Sequence, residues 1–185
     1  TAVFDGSMEV APQINLNWLY TDSRHRLWVV GRKGRIFRYD TARDRFVMTY
    51  KLSDLQDDVT SGTVNCTYMD SNDRIWLCHG DSIVRYDTRA GTTDRIDSPA
   101  PDDITAIMRT DSTNFFIGTS NGLLQTIEKE GVLETVAGTY TDSIRIPVSE
   151  LYFHEDSKQL FIGTFKEGII AYGMNTTSTI IADGP

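Results

Sequence analysis

At 185 residues, with 39% apolar content and a mean hydropathy of −0.31, the chain has the size and composition of one ordinary globular domain that buries a core. A formal net charge of −8 and a pI of about 4.8 argue against a nucleic-acid backbone or an anionic membrane surface as the main partner. No stretch reads as a signal peptide or approaches the ~18–20 apolar residues of a spanning helix, so no membrane contact by this segment is expected.

Residues 1–13 open as TAVFDGSMEV without an initiator Met, which points to processing or to a piece of something longer. From Ile14 four strand-like runs follow: Ile14–Tyr20, Leu27–Val30, Arg35–Tyr39 and Arg45–Tyr50. They are apolar-rich, β-branched or aromatic, and short turns separate them. The same order returns at Val64–Met69, Ile75–Cys78, Ser82–Tyr86 and Thr92–Ile96. It returns again at Ile104–Met108, Phe115–Thr119, Gly122–Ile127 and Val132–Val136, and at Val148–Phe153, Leu160–Thr164, Gly168–Tyr172 and Thr177–Ile181. No helix longer than a turn is expected.

The first two units are nearly copies: DSRHRLWVVGRKGRIFRYDT at Asp22–Thr41 and DSNDRIWLCHGDSIVRYDT at Asp70–Thr88. The aromatic after the first turn is Trp28, Trp76, Phe116 and Phe161, at intervals of 48, 40 and 45 residues. Such a period is too long for ankyrin or leucine-rich units and suits one four-stranded propeller blade per repeat. The expectation is an all-β fold of four four-stranded antiparallel blades, a partial propeller. The blades occupy 14–52, 63–97, 104–138 and 148–182, with 1–13 the outer strand of a preceding blade or a linker. The repeated positions are Asp22, Trp28 and Tyr39; Asp70, Trp76 and Tyr86; Asp111 and Phe116; Asp156, Phe161 and Tyr172.

Asp22 and Asp70 start turns in which a carboxylate accepts backbone N–H groups. A three-residue hairpin loop needs a left-handed last position, here His25 and Asp73. In units three and four the Asp stands five residues before the aromatic rather than six, so those loops are expected to be one residue shorter. The large aromatic fills the wedge between blades that pack face to face. Stacking on a ligand is the alternative.

Cys66 and Cys78 lie in no C-x-x-C, and His25, His79 and His154 are scattered, so no metal site and no cofactor are expected. With Ser71-Asn72-Asp73 as the loop, Met69 opposes Ile75, Tyr68 opposes Trp76, Thr67 opposes Leu77 and Cys66 opposes Cys78. The two cysteines then face each other at a hydrogen-bonded pair, where Cα atoms sit about 5.5 Å apart. That spacing permits a disulfide or two packed thiols.

The pattern Asp-x-x-x-x-[Ile/Leu]-Trp-[Ile/Leu/Val]-Gly-Thr-x-x-Gly-[Ile/Leu]-x-x-Tyr-Asp resembles the two-component regulator propeller repeat. The matches are Leu27-Trp28-Val29 with Arg38-Tyr39-Asp40, Ile75-Trp76-Leu77 with Arg85-Tyr86-Asp87, Ile117-Gly118-Thr119 with Asn121-Gly122-Leu123, and Phe161-Ile162-Gly163-Thr164 with Gly168-Ile169-Ile170. Units one and two depart from it with Val30-Gly31 and Cys78-His79 in place of Gly-Thr, and units three and four have Phe for Trp. The resemblance covers nearly the whole chain after residue 13. It implies the periplasmic sensor region of a Bacteroides-type hybrid two-component protein, ahead of a membrane span, a histidine kinase and a response regulator. The implied input is a carbohydrate, often an oligosaccharide. Two alternatives stand beside this reading: a propeller for protein–protein interaction, and a fragment of a propeller lyase or glycosidase.

Propeller ligands favour the face built by the loops between second and third strands and by the inter-blade connections. The candidates there are Arg32 and Lys33, His79 and Asp81, Ser120 and Asn121, and Phe165, Lys166 and Glu167. From the connections come Asp57, Asp58, Asp102, Asp103 and Arg145. Tyr140 or Phe165 could stack on a sugar ring, and polar side chains could bond its hydroxyls. Solvated loops are the plain reading of the same residues. No G-x-S-x-G, H-E-x-x-H or P-loop is present, so no catalytic residue is named. The sequons at Asn65 and Asn175 carry no meaning in a bacterial chain. Exposed apolar faces on the end blades imply self-association.

Overall fold

A computed structural model describes residues 16–52, 63–100, 102–111, 113–136, 144–173 and, by their backbone, 176–182. The expected strand at 1–13, the residues Asp57, Asp58 and Tyr140, and the Asn175 sequon lie outside the described residues. Sixteen strands form four separate four-stranded antiparallel sheets, each in chain order, and no α-helix occurs among the described residues.

Blade 1 comprises β1 (Leu16–Thr21), β2 (Leu27–Gly31), β3 (Arg35–Asp40) and β4 (Arg45–Lys51). Blade 2 comprises β5 (Cys66–Met69), β6 (Arg74–His79), β7 (Ser82–Asp87) and β8 (Thr93–Ile96). Blade 3 comprises β9 (Ile104–Arg109), β10 (Asn114–Thr119), β11 (Gly122–Lys129) and β12 (Val132–Thr135). Blade 4 comprises β13 (Val148–His154), β14 (Gln159–Thr164), β15 (Ile169–Gly173) and β16 (Thr176–Ala182). The inner strands are neighbours: Tyr20 Oη and Thr67 Oγ1 are 2.6 Å apart between blades 1 and 2, and the Thr105 hydroxyl donates to the Val148 carbonyl at 2.6 Å between blades 3 and 4.

Strand alternation gives each blade two apolar faces. In β6, Ile75 and Leu77 face blade 1, where they join Trp28, Val30 and Ile36. Trp76 and Cys78 face blade 3, against Ile104, Phe115 and Ile117. In β10, Phe116 turns the other way and packs with Leu151, Leu160 and Ile162 of blade 4. The first three repeated aromatics each meet a ring of the following blade: Trp28 with Tyr86 at 6.0 Å, Trp76 with Phe115 at 4.8 Å, Phe116 with Tyr172 at 6.1 Å. Trp28, Trp76 and Phe116 are all buried, as filling the inter-blade wedge requires. Burying such a side chain stabilises by roughly 1.5–3 kcal/mol. Phe161, the fourth member, is half-buried beside an exposed Tyr152.

The turn chemistry holds in two units and fails in two. His25 (φ 57) and Asp73 (φ 62) occupy the left-handed slot. In unit three the loop is not shorter. The Thr110 amide donates to the Asn114 carbonyl at 3.1 Å, so three residues are enclosed, as between Asp70 and Arg74. Asp111 therefore sits one place further into its loop than Asp70 does, and Thr110 takes the Asp70 position. In unit four the loop is longer, because His154 opposes Gln159 and Lys158 (φ 53) takes the left-handed slot. Asp156 is an exposed loop residue there, and the His154 ring accepts the Ser157 amide at 3.3 Å. Counting back from the aromatic misplaced the Asp because loop length and cap position vary together.

The register in blade 2 is the expected one, with Cys66 opposite Cys78 and Tyr68 opposite Trp76. Both cysteines are free and buried, so no bridge is formed. At a hydrogen-bonded antiparallel pair the Cβ atoms are wider apart than the ~3.8 Å that a disulfide favours. Burial pushes the Cys78 thiol well up, and its hydrogen bond with Cys66 adds to this.

Candidate functional site

Loops between second and third strands all open on one side of the arc. The repeat's Gly-Thr pair builds them. In blade 3 the Thr119 hydroxyl donates to the Gly122 carbonyl at 3.1 Å and accepts the Asn121 amide at 3.1 Å. Thr164 does the same in blade 4, with Gly168 at 2.9 Å and Glu167 at 2.8 Å. The Gly lets the next inner strand come close, since a Cβ on Gly118 would lie 2.5 Å from the Val148 side chain.

On these loops Arg32, Lys33, Asp81, Ser120, Asn121, Phe165 and Lys166 are exposed. Phe165 shows 64% of its surface. Glu167, Asp103 and Arg145 are exposed and Asp102 is half-buried. His79 is half-buried in the Thr119-equivalent position, and its enclosed Nε2 has no hydrogen-bond partner. The structure brings Asp103 beside Gly80, whose carbonyl accepts the Ile104 amide at 2.8 Å. The Arg32 carbonyl likewise accepts the Val64 amide of blade 2 at 2.7 Å, and the Ile144 carbonyl accepts the Leu123 amide at 3.2 Å. Neither cleft described below is lined by these residues.

The opposite side, where the first hairpin of each blade turns, is held more tightly. Asp70 Oδ1 accepts the amides of Asn72 at 2.9 Å and Arg74 at 3.0 Å. Its Oδ2 accepts Arg74 Nε at 2.7 Å and the Trp76 indole N–H at 2.9 Å. Asp22 repeats this with Arg24, Arg26 and Trp28, and each Arg lies over its Trp, at 5.3 and 5.6 Å. Burial opposes the charge of Asp22, but the donors from Trp28, Arg26 and Arg24 outweigh it and hold its pKa below the usual carboxylate range.

Neighbouring hairpins are tied together. The Ser23 amide and hydroxyl donate to Asp73 at 2.7 and 2.6 Å, and Arg89 reaches the same carboxylate at 2.7 Å. Burial again works against the charge, yet these donors bring Asp73 down to about 2. Arg109 of blade 3 reaches Asp70 of blade 2 at 3.4 Å.

Two clefts lie between these hairpins. One, of about 390 Å³, runs from Tyr20, Asp22 and Ser23 to Met69, Asp70 and Ser71. The other, of about 330 Å³, has Tyr68, Ser71 and Asn72 on blade 2, Arg109, Thr110 and Asp111 on blade 3, and Glu155 on blade 4. Burial raises the phenol pKa of Tyr20 to about 12 and also raises that of Tyr68, so both are neutral O–H groups. Asp111 is held ionised: burial opposes its charge, but the Asn114 and Thr113 amides outweigh it.

The sequence placed no candidate residue on this side. Its Asp and Arg were visible in D-S-x-x-R-[Leu/Ile]-Trp, and an indole N–H six residues after a buried carboxylate was the available signal. Nothing in the string marks the Ser23–Asp73 or Asp70–Arg109 ties, because they cross blades.

No protein-family model matches the chain, and no curated protein matches it. Solved structures do. The extracellular domain of the hybrid two-component system BT4673 from B. thetaiotaomicron matches with a TM-score of 0.69 and 16% identity, over 98% of this chain and 23% of that one. A second structure of the BT4673 extracellular domain, there termed a one-component system, matches at TM-score 0.69 and 18% identity, over 94% and 22%. The extracellular domain of the hybrid two-component system BT3049 from the same organism matches at 0.65 and 15%, over 91% and 24%. The chain thus spans under a quarter of the length of these structures, and at such identities the likeness is one of fold.

Proposed function

We propose that this arc of four blades is an extracytoplasmic ligand-sensing module of a two-component signalling protein, that its ligand is a carbohydrate, and that occupancy is passed to a histidine kinase. The observation that carries the reading is the likeness of 91–98% of the chain to extracellular domains of two-component systems. Loop faces rich in hydroxyl, amide and carboxylate groups support it, because such groups bond sugar hydroxyls. The test is autophosphorylation of the intact signalling protein in membranes, with and without a panel of oligosaccharides. A glycan-dependent change in phosphate incorporation is expected. No response to any glycan, or turnover of the glycan by the purified chain, would overturn the reading.

A specific observation favours protein–protein interaction as a second reading. The outer side of blade 4 exposes Tyr152 at 58% and Ile169 at 43%, whereas in the other blades the equivalents of Ile169 (Ile36, Ile83 and Leu123) are buried and those of Tyr152 (Tyr20, Tyr68 and Met108) are half-buried. Large exposed apolar groups on one sheet face mark interaction surfaces. Self-association through this face is the form we propose.

A further inference from the structure

Resting on the self-association reading above, we propose that the contact is head-to-tail: the open face of blade 4 takes the open face of blade 1 of a second copy, in the register that joins consecutive blades within the chain. Each blade has a leading face, turned to the next blade, and a trailing face, turned to the one before. At the three interfaces within the chain the trailing face supplies Val64, Ile104 or Val148, each at 0% exposure. Blade 1 has Leu16 at this position, opposite Gly31 as Val148 is opposite Thr164, and Leu16 is 36% exposed. Leu19 is 66% exposed, where Thr67 is half-buried and Ile107 and Leu151 are at 5% and 4%. Further out on the same face Val29 and Phe37 are already buried, so the open strip runs along β1. Blade 4 is open on its leading face, at Tyr152 and Ile169.

The two faces fit in shape. The leading face of blade 3 has a notch at Gly118, where a Cβ would lie 2.5 Å from the Val148 side chain of blade 4. Gly163 keeps the same position in blade 4, opposite Ile169 as Gly118 is opposite Leu123. The atoms nearest to a Cβ there belong to Ser149 and Glu150 of its own blade, at 3.1 and 3.5 Å. Leu16 of a second copy would enter this notch as Val148 enters the one at Gly118, removing apolar surface from water on both sides.

They also fit in charge. Glu150 is exposed on the leading face of blade 4, at the position of Trp18, Cys66 and Ala106, which pack in the cores between blades. Arg35 shares the trailing face of blade 1 with Phe37, at the position of Ser82, Gly122 and Gly168, and Lys51 stands opposite it. Among the described residues no ion pair involves Glu150, Arg35 or Lys51. Both departures lie at the loop end of their faces, Glu150 in the row of Gly163 and Ile169 and Arg35 next to Ile36. The carboxylate that only blade 4 carries there therefore meets the cations that only blade 1 carries. A contact of blade 4 with blade 4 supplies no counterpart to Leu16 or Arg35.

The test is sedimentation velocity over a concentration series, with circular dichroism checking that each variant is folded. Leu16→Asp with Leu19→Asp should weaken association at least about tenfold, the loss for one apolar side chain left unburied. Glu150→Arg alone, and Arg35→Glu with Lys51→Glu, should each weaken it at least about twofold. An equimolar mixture of these two charge variants should recover the wild-type affinity, because a head-to-tail contact pairs each reversed face with a complementary one. The mixture needs no apolar variant to fold. Association lost on changing Tyr152 and Ile169 but untouched by the blade 1 variants would overturn the head-to-tail contact and leave self-association standing. A mixture that associates no better than its components would overturn the charge pairing. A wild-type protein monomeric at every concentration would remove both readings together.

Discussion

Asp70→Ala should be strongly destabilising. Its carboxylate is fully enclosed, with 0% side-chain exposure. Removing it strands the Asn72 and Arg74 amides, the Trp76 indole N–H and the Arg74 guanidinium. An orphaned buried donor costs about 1–3 kcal/mol, and removing one partner of a buried ion pair about 3–5 kcal/mol. These losses share one carboxylate and do not simply add, so the expected cost is about 4–5 kcal/mol, a large part of the roughly 5–15 kcal/mol that holds a domain together. At about 2–4 °C per kcal/mol for this size, the melting temperature should fall by about 10–15 °C. Trp76→Phe keeps most of the ring and deletes the N–H. Urea unfolding of both single variants and the double variant, followed by tryptophan fluorescence and circular dichroism, isolates the contact. We expect a coupling of about 1.5–3 kcal/mol, the range for a hydrogen bond to a charged group. An Asp70→Ala cost below about 1 kcal/mol, or additivity within about 0.5 kcal/mol, would refute the reasoning.

Asp73, lowered to about 2 from an ordinary 3.8, contributes stability that is present above its unfolded pKa and lost as pH falls from about 4 to about 2. That contribution is about 2 kcal/mol, so acid unfolding of Asp73→Asn should be shallower than wild type, and identical acid profiles would contradict the clamp. Gly122→Ala should destabilise by about 3 kcal/mol or more, since φ there is +146° and the new Cβ would meet the Ile144 carbonyl at 2.2 Å. Gly91→Ala, at φ +72° with open space around it, should cost only about 1 kcal/mol, and equal melting losses would refute the distinction. Native protein should leave Cys66 and Cys78 unreactive to a thiol reagent and release two thiols on unfolding, because exposures of 8% and 0% shield them. Tyr152→Lys with Ile169→Lys should abolish concentration-dependent association in sedimentation velocity. A wild-type chain that stays monomeric at high concentration contradicts that surface.

The fold was legible because blades repeat. Trp28 and Trp76 recur with the same flanking residues, strand alternation follows from their register, and the Cys66–Cys78 opposition follows from the loop at Ser71. The last two hairpins misled because the Asp, Arg and Trp change together. Thr110, Asn114 and Phe116 replace the trio in blade 3, and His154, Gln159 and Phe161 replace it in blade 4. Without the indole N–H and the guanidinium, no buried carboxylate is needed, so Asp111 and Asp156 are free to stand elsewhere in their loops. The candidate residues on the other face were read from loop position alone. Loop position says which side a residue lies on, but not whether loops from different blades meet. The hairpin-side clefts depend on contacts across blades, such as Arg109 with Asp70, which no local pattern encodes.

Hydrogen–deuterium exchange of the protein with and without a saturating oligosaccharide tests the sensor account most directly. The account predicts slowed exchange concentrated in surface loops on one side of the arc, with the buried strands β6 and β10 unchanged. Exchange that no glycan alters anywhere would contradict it.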